Sequence, residues 1–255
     1  MYLFWLFNEI SWMVLVVYNL LQFQKKKLFL SGLSKAVMGY MESRKPSWFT
    51  KLLGSANLWA IVELMLVSAA QYLCVGFLNS GASKLFQTGA NYFGVLYGAP
   101  ILVVLLCLLI RTDPLAQLDL VTPAYPLALF FAKIACHFGG CCCGVVWEKG
   151  LYNPITRQIE FPAPFLEAGV ALLLFIVLFS FRNRFKKGTV FPTYLIAFSA
   201  IRFFTEFTRI EPAVFLGLKT YHFLCIAGVI LGVAEYVLVR WYSKKQGSAS
   251  VVMKE

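Results

Sequence analysis

With 60% hydrophobic and only 14% charged residues in a chain of 255, this protein carries more apolar surface than a soluble core can hide; soluble domains average about 45–50% apolar and about 25% charged. Its formal net charge of +11 would point to nucleic acid in a soluble protein, but across a membrane basic residues mark topology, so no nucleic-acid partner is expected. Repeated apolar runs of about 20 residues fit helices and exclude the alternating strands of a barrel, which sets the fold class as all-α and polytopic.

In chain order, spans are expected at roughly 2–23, 57–80, 91–110, 118–136, 164–181, 189–208 and 220–240, seven in all, enclosing a polar pocket. The opening "MYLFWLFNEISW" has no basic leader and carries Glu9, so it reads as a retained span. A basic segment of about 25–55 follows, in which Phe29, Leu33, Val37 and Tyr40 recur at helical spacing. It reads either as an amphipathic helix on an anionic inner leaflet or as a loop whose lysines only set topology. Sixteen Lys and Arg fall on one side of these spans and five on the other. Cytoplasmic loops carry the excess, so the N-terminus is expected outside and the C-terminus inside, in one integral-membrane domain over 1–255.

At the end of the fourth span stands "KIACHFGGCCCG", with four of the seven cysteines. Structural zinc sites draw paired ligands from two separate places. Cys141, Cys142 and Cys143 are adjacent, and no second cluster exists for Cys136 or His137 to complete, so no metal is expected. A disulfide on an oxidising outer face, or small residues allowing close backbone packing with Gly139, Gly140 and Gly144, are the other readings.

Ionisable residues inside a membrane are costly and mark functional sites by default. Lys133 lies one turn before His137. In "IRFFTEFTRIEP", Arg202 and Glu206 are four apart and Arg209 three further on; Glu167 opens the fifth span in "FPAPFLEAG". All are expected at one outer level.

These stretches resemble the prolipoprotein diacylglyceryl transferase family over about 113–235. "DLVTPAYPLALFFAKIACHFGGCCCG" is similar to the family's Arg-x-Gly-Asn-Phe and Gly-Glu-x-x-Gly signature, which one branch writes Gly-Cys-Cys-Tyr-Gly. "FPAPFLEAG" resembles its His-Pro-x-Gln-Leu-Tyr-Glu turn, and "IRFFTEFTR" its Arg-x-x-x-Glu-Phe-x-Arg. Lys133 replaces the signature arginine, Cys136 the asparagine and Cys141 the glutamate, while Phe93 of "YFGVLYG" stands where the family has its basic histidine.

The resemblance implies transfer of a diacylglyceryl group from phosphatidylglycerol to the lipobox cysteine of a secreted prolipoprotein at the outer face of a bacterial cytoplasmic membrane, with no cofactor. The roles it implies are catalytic for Arg202 and Glu206; with Phe93 at the family's histidine position, His137 is read as the catalytic base because it is the nearby imidazole, with His222 a second candidate. Lys133, Cys136, Gly140, Gly144, Glu167 and Arg209 would bind substrate. Two alternatives stay open: a membrane thiol oxidoreductase built on the cysteines, and a non-catalytic lipid-binding relative.

Overall fold

The computed structural model describes residues 2–26, 92–109, 113–153 and 155–252. Helices stand at six of the seven expected spans among these residues: α1 (Tyr2–Lys26), α2 (Tyr92–Leu109), α3 (Pro114–Val121) running into α4 (Ala124–Phe138), α5 (Ala163–Phe181), α6 (Val190–Thr205) and α7 (Thr220–Val252). The span expected at 57–80 and nearly all of the basic segment at 25–55 lie outside the described residues. Among the described residues, three stretches are long and apolar enough to cross a membrane: Pro114–Phe138, Ala163–Phe181 and Thr220–Lys244. The chain is thus a largely helical membrane protein.

The expectation of helices alone needs one amendment. Between α4 and α5 the chain forms an antiparallel hairpin of β1 (Val146–Asn153) and β2 (Gln158–Glu160), in register at Tyr152 with Ile159 and Asn153 with Gln158. Its strands, "VWEKGLYN" and "QIE", keep no strict alternation of apolar and polar residues, so the sequence carries no period-two signal for them.

The chain divides into two compact units, Trp12–Ala124 and Met1–Ser11 with Tyr125–Glu255. In the first, α3 is started by Asp113, whose Oδ1 accepts from the backbone N–H of Leu115 at 3.1 Å and Ala116 at 3.3 Å. Pro114 at the first helical position loses no bond there, since that N–H has no intrahelical partner anyway. Phe93 is buried in α2 of this unit.

In the second unit, the first turns of α1 lie along α4. Phe7 stacks on Phe138 with ring centroids 5.6 Å apart, and the Ser11 hydroxyl donates to the Ala128 carbonyl at 2.7 Å. That bond gives a hydroxyl among apolar neighbours its obligatory partner. Helix α6 packs against both α5 and α7. It ends in a 3-10 turn, Glu206–Thr208, whose backbone joins the cysteine stretch: Val145 N–H donates to the Thr208 carbonyl at 2.9 Å, and Ile210 N–H to the Cys143 carbonyl at 3.2 Å.

Candidate functional site

Three helices of the second unit each deliver charge to one point. Helix α5 opens after Pro162 and carries Glu167 on its second turn, buried at 5% exposure. The Glu167 carboxylate meets Lys133 Nζ of α4 at 2.6 Å, Arg202 Nη1 of α6 at 3.2 Å, and Arg209 Nη1 beyond α6 at 3.3 Å. Arg202 turns its other terminal nitrogen to Glu206 Oε2, one helical turn on. It also donates to Thr205 Oγ1 at 3.2 Å. Every one of these side chains is at most 12% exposed. Charge this deeply buried persists only when paired, and the pairing here is shared by three cations and two carboxylates.

The cluster is incompletely satisfied. Among the described residues, Glu206 Oε1 and Arg209 Nε are buried with no hydrogen-bond partner. Buried orphaned groups are few in native proteins and each calls for a reason. Beside Glu167, Arg202 and Thr205 lies a narrow space of about 10 Å³, room for about one water molecule.

The cysteine stretch forms the wall next to this cluster. Gly140 has φ +62°, and a Cβ there would stand 2.5 Å from Ile155 Cδ1, so glycine meets both demands. Gly144 bridges to Arg209 in antiparallel fashion, and a Cβ on it would collide with the Phe161 carbonyl. The two glycines therefore hold the turn against Arg209. Cys142 also adopts φ +62°, unusual for a residue with a side chain. Lys133 Nζ donates to its sulfur at 3.7 Å. Hydrogen bonds from Cys136 and Cys141 hold the Cys142 thiol well below its usual range. Cys143 faces differently: its sulfur accepts from Asn153 Nδ2 at 3.5 Å, and burial together with nearby Glu160 pushes its thiol up.

Of the residues singled out in the sequence, Lys133, Glu167, Arg202, Glu206 and Arg209 come together, with Cys136, Gly140 and Gly144 in the adjoining turn. His137 does not join them. It lines a separate cavity of about 180 Å³ with Gly140, Cys143, Asn153, Glu160 and Pro164, and its ring packs on Phe165 at 4.4 Å between centroids. His222 is fully buried: its Nδ1 accepts from the Lys219 N–H at 3.0 Å, and its ring meets Phe203 and Phe207. Phe93 belongs to the other compact unit.

Sequence reasoning missed Lys219. Its ammonium donates to the carbonyl of Glu206 at 2.7 Å and to that of Arg209, tying the segment after α6 to the start of α7. A basic residue ten positions after Arg209, directly before an apolar run, was the available signal.

Comparison with known proteins gives a concordant result. A family model described as prolipoprotein diacylglyceryl transferase matches residues 28–238. The chain is 29% identical over 172 residues to the phosphatidylglycerol–prolipoprotein diacylglyceryl transferase of Clostridium tetani, covering 64% of this chain and 69% of that protein. It is 30% identical over 171 residues to the second such transferase of Clostridium perfringens, covering 63% and 66%. Against the Ehrlichia canis transferase it is 34% identical over 143 residues, covering 52% and 54%. The match thus spans between about half and two thirds of these curated relatives.

Proposed function

The chain belongs to the prolipoprotein diacylglyceryl transferase family, and from that premise we propose that it transfers the diacylglyceryl group of phosphatidylglycerol to the lipobox cysteine thiol of a secreted prolipoprotein. The reaction takes place at the outer face of a bacterial cytoplasmic membrane, in which the chain forms one multi-pass domain of seven spans, N-terminus outside. The observation that carries this reading is the convergence of Lys133, Arg202 and Arg209 on the single carboxylate of Glu167. The names of the relatives favour it over thiol oxidoreduction and over a non-catalytic role.

The headgroup phosphate of phosphatidylglycerol is an anion that must be held and whose leaving charge must be stabilised. Preorganised cations in a low-dielectric site do both. Arg202 offers a planar fork suited to two phosphate oxygens, and Lys133 acts as a point charge. Arg209 guards the approach, with partly exposed Glu211 3.4 Å from its Nη2. Glu167 keeps the three cations from scattering before the lipid arrives and yields part of their charge to the phosphate when it does. Cys136, Gly140 and Gly144 form the wall that brings backbone close to the headgroup.

The incoming thiol must lose its proton, because the thiolate is the nucleophile. Glu206 Oε1 is buried and lacks a partner among the described residues, so it is the acceptor we assign. His137 opens on the other cavity and is a weaker candidate for this step. The sulfur then attacks the glyceryl carbon, forming the S–C bond. The carbon–oxygen bond to phosphate breaks with its electron pair on oxygen, and glycerol phosphate leaves against Arg202 and Lys133.

Purified protein incubated with labelled phosphatidylglycerol and a lipobox peptide tests the proposal. Labelled peptide is expected from wild type and none from Arg202→Ala; unlabelled peptide with wild type overturns it.

A further inference from the structure

The thiols of Cys136, Cys141 and Cys142 form a cluster whose sulfur atoms take no step in the transfer reaction. All three are free, and their sulfur atoms lie within 4.8 Å of one another. Adjacent cysteines cannot all turn to one point, and these do not: Cys143 points to Asn153, while Cys141 and Cys142 reach back to Cys136 in the last turn of α4. The left-handed backbone at Gly140 and Cys142 makes that reversal possible.

We propose that Cys136, Cys141 and Cys142 form a binding site for a thiophilic divalent cation of the zinc and cadmium class. Thiolate sulfurs bind such ions at about 2.3 Å, which places three ligands around one ion about 4.0 Å apart. The existing cluster needs a contraction of less than about 1 Å. Soft thiolate donors select this class over magnesium or calcium, which want oxygen. Each protonated thiol gives up one proton as its metal–sulfur bond forms, and no electron changes hands. A divalent ion with three thiolates carries one net negative charge. Lys133, whose ammonium is 3.7 Å from the Cys142 sulfur, offsets it. Cys141 is exposed and leaves a way in for the ion. The proposal does not depend on the transfer reading.

The test uses the reduced full-length protein in lipid nanodiscs, titrated with cadmium alone. Expected are a sulfur-to-cadmium charge-transfer band saturating at one ion per chain, and protection of Cys136, Cys141 and Cys142 together from alkylation while Cys143 stays reactive. Cys136→Ser and Cys142→Ser should each lose the band, and Cys143→Ser should keep it. The wild-type protection pattern decides the matter even where a variant fails to fold. Absence of the band, its survival in Cys136→Ser, or equal protection of Cys143 overturns the proposal.

Discussion

Glu167→Gln removes one negative charge from the centre of three positive ones and changes almost no volume. Lys133, Arg202 and Arg209 stand 2.6, 3.2 and 3.3 Å from that carboxylate. At an effective dielectric of about 20, each contact is worth roughly 5 kcal/mol of gross attraction. Most of this is offset in the native protein by the cost of taking the carboxylate out of water. Breaking a buried pair from one side leaves the partners uncompensated and typically costs about 3–5 kcal/mol. For a chain of this size that is a fall in Tm of roughly 6–20 °C. The assay is thermal unfolding of wild type and variant in the same detergent. A second step isolates the cause: Lys133→Met should cost less in the Glu167→Gln background than in wild type, with a coupling of about 0.5–3 kcal/mol. A Tm for Glu167→Gln within about 2 °C of wild type, the range of an ordinary surface change, refutes the hub.

Further outcomes follow from the same geometry. Glu206→Gln should lower transfer by roughly 10²–10⁴-fold, the usual contribution of a proton acceptor, while leaving phosphatidylglycerol binding intact; His137→Ala should change the rate by less than about threefold, and single-turnover assays with the lipobox peptide compare the two. Gly144→Ala drives a methyl group into the Phe161 carbonyl and should cost about 1–3 kcal/mol, the range of overpacked sites, read as a lower Tm. Near pH 6.5, Cys142 should alkylate well ahead of Cys143, since hydrogen bonding holds the first thiol low while burial and Glu160 hold the second high; peptide mass spectrometry ranks them, and the gap should close as pH rises and Cys143 ionises.

The charged cluster was legible because helical spacing alone does most of the placing. Arg202 and Glu206, four apart, share a face, and Arg209 continues it beyond the helix end. A costly charge such as Lys133 or Glu167 within an apolar run then has nowhere stable to go but toward opposite charge. The same spacing argument failed for His137, which is one turn from Lys133 and would share its face on a free helix. The hairpin β1–β2 and the prolines after it fold over that last turn, and Phe165 packs on the imidazole. Without regular alternation along its strands, the hairpin carries too little signal in the sequence to foresee that cover. Nor was the thiol cluster readable, since it depends on a positive φ at Cys142, which no side-chain pattern announces. Lys219 acts through backbone carbonyls, and contacts of that kind leave no mark on residue spacing.

The account stands on the claim that Lys133 and Arg202 together grip one anionic lipid headgroup, and equilibrium binding of short-chain phosphatidylglycerol tests it most directly. Wild type should bind phosphatidylglycerol in preference to phosphatidylcholine of the same chains, and Lys133→Gln and Arg202→Gln should each weaken that binding at least tenfold, equivalent to about 1.4 kcal/mol. Binding that is indifferent to headgroup, or unchanged in both variants, would contradict it.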